Sequence, residues 1–284
     1  MKSYVFIVNP VSGGKDKSAL AGMIARRFGS GSIRYTEYAS HAALLAAEAD
    51  CDVVVAVGGD GTVNEVASAL AGTHKALGII PCGSGDGLAL HLGMSRRWSR
   101  ALEQLQGASV ARMDYGLMNG RKFFCTTGVG FDAKVGMDFS KSSHRGLMSY
   151  VSLSARDWFS YEPEHYRISV DGQDAWEGKA VMITVGNAAQ WGNNAKICGG
   201  ASVLDGKLDI TIVTPFSTFA FPVLISRLML GKVRGCDNTV CLNGKRIVIK
   251  RDSAGPAHFD GEPVNEGRRI EIEIVPSSLN VLIP

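Results

Sequence analysis

One aspartate set among glycines is the first candidate for chemistry in this chain. The apolar run Val53–Val57 leads into Gly58-Gly59-Asp60-Gly61-Thr62, and a helix-like pattern resumes at Val63. Glycines let the backbone turn sharply and bring N–H groups against an anion, and a helix N-terminus favours negative charge. Asp60 would repel a phosphate unless a metal ion or a transferable proton gives it a task. The motif predicts a nucleotide phosphate site with a catalytic acid; the alternative is a strand–turn–helix corner with Asp60 as a cap.

Two more glycine-rich turns occupy equivalent places, each just past a predicted parallel strand. They are Asn9–Lys15 and Pro81–Gly87. The first turn lacks the Walker spacing, so Lys15 is not expected to reach a phosphate. Because the carboxyl ends of parallel strands share one sheet edge, the three turns should meet. Their convergence favours a nucleotide crevice over three unrelated turns.

The elements that must position these turns alternate between strand and helix over the first hundred residues. Such alternation predicts right-handed βαβ units and a parallel sheet. The predicted elements are strand Tyr4–Val8, helix Lys17–Phe28, strand Ser32–Tyr35, helix His41–Ala49, strand Val53–Val57, helix Val63–Ala71, strand Leu77–Ile80 and helix Arg97–Gln106.

The rest of the chain carries spaced Val, Ile, Thr and Phe runs that indicate antiparallel β structure. We place the boundary near Val110, which gives an α/β domain over residues 1–109 and a β-rich domain over 110–276. Residues 277–284 could return to the first domain, with Leu279–Ile283 as an added strand. The predicted strands are Phe123–Thr127, Tyr166–Val170, Ala180–Val185, Leu208–Val213, Thr239–Leu242, Arg246–Lys250 and Ile270–Val275.

Composition narrows the classes of function. The 284 residues are 45% hydrophobic and 20% charged, with a net charge of +3 and no basic stripe, so nucleic acid is not an expected partner. The six cysteines form no Cys-x-x-Cys pair, which fits reduced thiols and a cytoplasmic protein. We expect neither a signal peptide nor a transmembrane span. The longest apolar stretch, Phe216–Leu230, is too short to cross a bilayer; its helical spacing favours inward packing, with lipid contact as the alternative.

Three motifs, in this order, resemble the diacylglycerol kinase catalytic-domain family, which includes bacterial lipid kinases and sphingosine kinases. They are Asn-Pro-x-Ser-Gly from Asn9, Gly-Gly-Asp-Gly-Thr-x-Asn-Glu from Gly58 and Pro-x-Gly-Ser-Gly from Pro81. Further segments resemble later landmarks of the family: Gly128–Asp132, Ala201–Asp209 and Asp260–Pro263.

The resemblance implies a fold and an activity. The fold is an α/β N-terminal domain with a parallel sheet, Rossmann-like and of the NAD kinase and diacylglycerol kinase type, plus a β-rich antiparallel C-terminal domain. The activity is that of an ATP-dependent lipid kinase in phospholipid biosynthesis, which transfers the γ-phosphoryl group to the hydroxyl of a diacylglycerol or sphingoid-type lipid. Such a protein would be cytoplasmic, transiently peripheral to a membrane surface and able to form a homodimer.

The resemblance also implies roles for individual residues. Asp60 would sit at the reacting phosphate and orient Mg²⁺ or the acceptor hydroxyl. Glu262 matches the proton acceptor of bacterial relatives, and Asp260 beside it is a competing candidate. Without the resemblance, Asp260-Gly261 would indicate only a hairpin turn. The implied ATP contacts are Asn9, Pro10, Val11, Ser12, Gly13, Thr36, Gly58, Gly59, Asp60, Gly61, Thr62, Val63, Asn64 and Ser84.

A structural Mg²⁺ site is implied at Ser202, Asp205 and Lys207, where one carboxylate and neighbouring carbonyls would bind the ion. Hard oxygen ligands suit Mg²⁺, which keeps waters in its shell. The alternative is a plain turn at Asp205-Gly206.

The third turn departs from the family pattern. Diacylglycerol kinases commonly continue it as Gly-Thr-x-Asn-Asp, whereas this chain has Gly83-Ser84-Gly85-Asp86-Gly87, which is closer to sphingosine kinases. Even there asparagine is usual where Asp86 stands, and the acid removes a donor and adds charge, so the acceptor lipid stays open. An NAD kinase and a non-catalytic nucleotide or lipid sensor are the rival functions. The Asn9–Gly13 turn and the Asp260–Glu262 tripeptide favour the lipid kinase.

Overall fold

The computed structural model describes residues 2–141, 153–154, 156–158, 160–217 and 221–284 of the chain. The chain divides into two compact units, one formed by Met1–Asp114 with Ser277–Pro284 and the other by Tyr115–Pro276. The predicted boundary near Val110 lies inside a continuous strand, β5 (Ser109–Met118).

The first unit is built on a parallel sheet with the strand order β2-β1-β3-β4. The last residues of β16 (Arg269–Ile283) pair in parallel with β4, with Asn280 opposite Ala76. The chain therefore returns to this sheet at its C-terminal end. The elements are β1 (Tyr4–Val8), α1 (Ser18–Phe28), β2 (Ile33–Tyr35), α2 (His41–Glu48), β3 (Val53–Gly58), α3 (Asp60–Leu70), β4 (Ala76–Pro81), α4 (Gly87–His91) and α5 (Trp98–Gly107).

The central strands of this sheet are buried on both faces. Every residue of β3 and β4 is buried, because helices cover the sheet, and this explains their unbroken apolar runs. Helix α3 begins at Asp60 with Gly59 as its N-cap, three residues before the predicted start at Val63. The weak helix propensity of glycine hid this first turn, whereas an acid in the first turn is favoured by the helix dipole. The start of α3 was therefore predicted wrongly.

The second unit is an antiparallel β-sandwich. One sheet has the order β12-β11-β10-β7-β14-β15. In the other, β8 pairs with β9 and β13, and the first half of β16 pairs with β13. The elements are β6 (Arg121–Phe123), β7 (Thr126–Gly130), α6 (Phe131–Lys141), β8 (Glu164–Val170), β9 (Gln173–Ala180), β10 (Met182–Gly186), β11 (Leu208–Val213), α7 (Phe221–Met229), β12 (Thr239–Gly244), β13 (Arg246–Arg251), β14 (Gly255–Phe259) and β15 (Glu262–Glu266).

Alternation along β11 shows how this sandwich is filled. Leu208, Ile210 and Ile212 belong to the apolar core formed by the two sheets. Val213, on the opposite face, joins a second apolar cluster with Phe131 of α6 and Leu228 of α7. Successive side chains of a strand point to opposite faces, so both faces of this sheet are covered.

The structure describes only part of the stretch Phe216–Leu230, because residues 218–220 lie outside the described residues. Its described helix is α7, nine residues long. Among the residues that the structure describes, no helix is both long and apolar enough to span a bilayer.

Candidate functional site

Four loops at the carboxyl edge of the parallel sheet form the candidate site of the first unit. They follow β1, β2, β3 and β4, which are neighbours in the sheet. A Cβ atom built on Gly13 would overlap the carbonyl oxygen of Cys82, and one on Gly83 would lie 2.6 Å from the Cα of Gly59. The first, third and fourth of these loops therefore touch through bare backbone, and only glycine allows this approach.

Asp60 joins the loop after β3 to the loop after β4. Its carboxylate oxygens accept hydrogen bonds from the backbone N–H groups of Asp86, at 2.9 Å, and Gly87, at 2.7 Å. These groups lie at the start of α4, so the carboxylate compensates N–H groups that the helix leaves unpaired. Asp60 is partly buried and fixed in orientation. Its cap function serves the neighbouring turn, which the sequence analysis did not foresee.

The loop after β1 is tied to α3 and to the loop after β2. The Asn9 side-chain amide donates to the Thr62 hydroxyl at 3.1 Å, and the Asn9 carbonyl group of the side chain accepts from the Val11 N–H at 3.1 Å. The backbone N–H of Thr36 donates to the carbonyl of Val8 at 3.0 Å, which sets Thr36 beside the start of this loop. Thr62 is buried, so its hydroxyl contacts the loop after β1 from the interior of the unit.

Lys17 is a residue of this site that the sequence analysis missed. Its ammonium group is buried and donates to the carbonyl oxygens of Pro10, Ser12 and Lys15 at 3.2, 2.6 and 3.3 Å. Burial lowers the pKa of Lys17. The ammonium holds the first turn closed from the inside. Nothing in the residue spacing distinguishes it from the exposed Lys15 two positions earlier.

Glu65 of α3 is a second supporting residue. Its carboxylate accepts from the N–H groups of Ser40 and Ala42, at 3.0 and 3.1 Å. It therefore caps the N-terminus of α2 from a neighbouring helix. The acid at the end of Gly-Gly-Asp-Gly-Thr-x-Asn-Glu has a structural explanation in this chain.

Asp86 organises the turn after β4. Its carboxylate accepts from the Gly83 N–H at 2.7 Å and pairs with Arg96, whose Nε lies 3.3 Å away. Arg96 also donates to the carbonyl of Gly85 at 2.8 Å, so one cation closes the turn. Asp86 is buried, and burial raises the pKa of its carboxyl despite these partners.

We expect Asp86→Asn to fold and to gain stability, relative to the original chain, as the pH rises. Because the folded-state pKa of Asp86 is raised, its stabilising contribution is complete below the ordinary value, about 4, and is lost as the pH rises through the raised value. Asparagine keeps an acceptor for Gly83 and has no such titration. Urea unfolding of both proteins at about pH 4 and about pH 7 measures the difference. An equal difference at both pH values would contradict the prediction.

The hairpin between β14 and β15 carries the two acids implied as proton acceptors. Asp260 and Gly261 have φ of 48° and 84°, as in a type I′ turn. The Asp260 carboxylate accepts from three consecutive backbone N–H groups at 2.7 to 3.0 Å, those of Phe124, Cys125 and Thr126. Both its oxygens are therefore used in joining the hairpin to the start of β7.

Glu262, the first residue of β15, is exposed. Within the described part of the chain, no hydrogen bond or ion pair engages its carboxylate. Its neighbour across the hairpin is Phe259. Glu262 is thus held by a rigid hairpin while its carboxylate stays accessible, which suits proton transfer better than the position of Asp260 does.

A buried pair of residues, Asp132 and His258, lies between α6 and the sheet that contains β14. Asp132, in the first turn of α6, approaches His258 Nε2 of β14 at 3.1 Å and accepts from the Thr184 hydroxyl at 3.3 Å. The pair fixes α6 against the strand that leads into the Asp260 turn. The two residues are 126 positions apart in the sequence.

The implied Mg²⁺ residues lie in the loop before β11. The Asp205 carboxylate accepts from the Lys207 N–H at 3.1 Å, and the Ser202 hydroxyl accepts from the Leu204 N–H at 3.3 Å. Burial raises the pKa of the nearby Asp209, and the Asp205 carboxylate adds to this. Asp209 pairs with Arg234 at 2.9 Å, so Asp205 is the carboxylate of this loop that would offer oxygen to a hard cation. Across the described ranges, no three His, Cys, Asp or Glu side chains converge as metal ligands.

The structure therefore places the predicted residues in two groups. The predicted ATP contacts lie in the first unit, in the loops after β1, β2 and β4, at the end of β3 and in the first turns of α3, where Thr62 and Val63 are buried. The predicted proton acceptors and the Mg²⁺ residues lie in the second unit. The roles of these residues in binding and catalysis remain predictions.

Both parts of the chain are similar to known protein families. Residues 3–118 match the family profile described as diacylglycerol kinase catalytic domain, and residues 125–283 match the YegS C-terminal NAD kinase beta sandwich-like domain. The chain is 28% identical over 243 residues to a Citrobacter koseri protein named "Probable lipid kinase YegS-like", covering 82% of this chain and 78% of that protein.

Solved structures show the same fold. A diacylglycerol kinase from Bacillus anthracis is similar with a TM-score of 0.75 at 22% identity, over 99% of this chain and 97% of that one. An NAD kinase from Archaeoglobus fulgidus, solved in complex with ATP, is similar with a TM-score of 0.53 at 14% identity, over 98% and 92% of the two chains.

Proposed function

We propose, since this chain belongs to the diacylglycerol kinase catalytic-domain family, that it transfers the γ-phosphoryl group of ATP to the hydroxyl of a diacylglycerol or sphingoid-type lipid. The chain is a kinase of the lipid kinase type by its family. The observation that carries the proposal is the convergence of the glycine turns, with Asp60 fixed between two of them.

The nucleotide phosphates would bind at the carboxyl edge of the parallel sheet. Gly13, Gly59 and Gly83 keep this edge free of side chains, so that backbone N–H groups can approach an anion. Phosphoryl transfer depends mainly on positioning and on neutralising charge. Asp60 is fixed by two hydrogen bonds and is therefore suited to orienting a Mg²⁺ ion or the acceptor hydroxyl at the reacting phosphate.

Glu262 is the proposed general base and Asp260 its positioning residue. Ser202, Asp205 and Lys207 would hold a structural Mg²⁺ ion, which supplies positive charge beside Asp209 when it is bound. The acceptor's acyl or alkyl chain lies in a bilayer, so the protein would work at a membrane surface.

Phosphorylation of a total lipid extract with terminally labelled ATP tests the proposal. A labelled, chloroform-soluble product, identified by mass spectrometry, is expected. A labelled water-soluble product with NAD as acceptor would instead favour the NAD kinase, whose fold this chain shares. No labelled product in either phase would favour the non-catalytic sensor.

Gly13→Ala is expected to raise the KM for ATP at least tenfold. The new Cβ would overlap the carbonyl of Cys82, so the first turn must move away from the turn after β4. Gly14→Ala is a matched control, because Gly14 has nearly the same φ, +63° against +64°, but no atom stands within 4 Å of its Cβ position. Initial rates at varied ATP measure both variants. Equal KM values for the two would contradict a role for the close contact.

A further inference from the structure

Helix α7 presents two different faces. Leu228 is 5% exposed and belongs to the apolar cluster that covers one face of the sandwich. Val223 lies in the first turn of the helix, Met229 is its last residue and Leu230 follows it, and their side chains are 53%, 49% and 67% exposed. Positions 223 and 227 are four residues apart and lie on one face of the helix, so Val223 is exposed beside Arg227. Exposed apolar side chains on an element that packs against the core mark a surface for a partner.

The end of this helix is held firmly in place. The carbonyl of Leu228 accepts from the Lys196 N–H at 3.0 Å, and the Arg227 carbonyl accepts from the Lys232 N–H at 2.8 Å. A Cβ on Gly199 would lie 2.7 Å from the carbonyl oxygen of Gly231, so the two loops are in close contact. The exposed apolar side chains therefore sit on a fixed element of the unit.

The charge around these apolar side chains is mainly positive. No Asp or Glu occurs from Phe216 to Cys236, whereas Arg227, Lys232 and Arg234 do occur and are exposed. Asp237 is the nearest acid that follows in the sequence, and it interacts with Arg227. Arg234 pairs with Asp209 at 2.9 Å. Arg227 and Lys232 thus flank exposed apolar side chains, and a surface of this kind complements an apolar layer bordered by anions.

We propose that the α7 surface, defined by Val223, Arg227, Met229, Leu230 and Lys232, docks on an anionic lipid bilayer. The apolar side chains enter the interfacial layer, and the two cations contact lipid phosphates. The proposal rests on the proposed function, which requires a membrane-embedded acceptor. Beyond that function, it specifies which surface of the protein contacts the membrane and that this surface prefers anionic lipids.

Co-sedimentation with sucrose-loaded vesicles tests the docking surface. One set contains phosphatidylglycerol and phosphatidylcholine, and the other contains phosphatidylcholine alone. We expect the original chain to bind the anionic vesicles more tightly and Met229→Glu/Leu230→Glu to reduce binding at least tenfold. Arg227→Gln/Lys232→Gln should reduce it by an order of magnitude or more on the anionic vesicles and little on the neutral ones.

Leu44→Glu is the matched control, because Leu44 is 52% exposed on α2 of the other unit. It should bind vesicles like the original chain. All variants alter exposed side chains, so their melting temperatures should stay within about 2 °C of the original. Equal vesicle binding by the α7 variants and the original chain would overturn the proposal.

A second copy of the chain is the other occupant to consider, and light scattering during gel filtration tests it. A dimer that Met229→Glu/Leu230→Glu converts to monomer, with unchanged vesicle binding, would overturn docking on lipid. Activity on a short-chain diacylglycerol in detergent micelles separates the two proposals. The α7 variants should keep this activity in micelles. Vesicle binding that depends on α7, together with no lipid phosphorylation, would overturn the proposed function but would still support the docking surface.

Discussion

Asp60→Asn should reduce the turnover number of the kinase at least ~100-fold, the scale seen when a group that stabilises developing charge is removed. The carboxylate accepts from two backbone N–H groups of the neighbouring turn, and an amide has one acceptor oxygen. At least one of these N–H groups then faces an amide donor. The loss of this hydrogen bond lowers the free energy of unfolding by about 1–3 kcal/mol, which corresponds to a drop in melting temperature of several degrees.

Nucleotide binding distinguishes chemistry from architecture at Asp60. If the carboxylate acts at the reacting phosphate, Asp60→Asn should keep the affinity for a non-hydrolysable ATP analogue within several-fold while turnover falls. If Asp60 only closes the loops, affinity and turnover should fall together. Isothermal titration calorimetry and steady-state rates provide the two values. Asp86→Asn is the control, since its amide keeps the acceptor for Gly83 and it should retain most of its turnover.

The architecture of the carboxyl edge of the parallel sheet could be predicted because it depends on local signals. Apolar runs such as Val53–Val57 mark buried parallel strands, and glycines mark the turns. Parallel strands end at one edge, so three turns after three strands must lie near one another. The same reasoning anticipates the strand Leu279–Ile283, which is observed beside β4.

The side-chain connections within that edge could not be predicted. Lys17 and Lys15 have the same residue type in the same loop, yet one is buried under three carbonyls and the other is exposed. The choice depends on how the backbone turns at Gly13 and Gly14, both with positive φ. Such a turn is settled by packing against Cys82, which lies far away in the sequence.

The polar side-chain contacts of the β-sandwich could not be predicted from the sequence either. Asp-Gly at 260–261 predicts the hairpin turn, which is observed. The three N–H groups bound by Asp260 are more than 130 residues away, and Asp132 reaches His258 over 126 residues. Periodicity indicates which face of a strand is apolar, but it carries no information on which polar groups meet across a sheet.

The hairpin at Asp260 provides the second large effect. Glu262→Gln should lower turnover by about 10²–10⁴-fold, the usual contribution of a general base. Its melting temperature should stay within about 2 °C of the original, because the Glu262 side chain is exposed and the described residues offer it no bond to lose.

Asp260→Asn should do the reverse. Its carboxylate accepts from three backbone N–H groups, and an amide leaves at least one of them facing a donor. We expect a loss of about 1–3 kcal/mol in the free energy of unfolding, measured in urea, with a smaller loss of turnover.

The turnover of the two variants at one fixed pH completes the comparison of the two acids. With Glu262 as the base, Glu262→Gln loses most of its turnover because no group remains to take the proton of the acceptor hydroxyl, whereas Asp260→Asn keeps most of it. If Asp260→Asn lost turnover while Glu262→Gln kept it, the two assignments would be exchanged, and the base would be a carboxylate that already accepts from three backbone N–H groups.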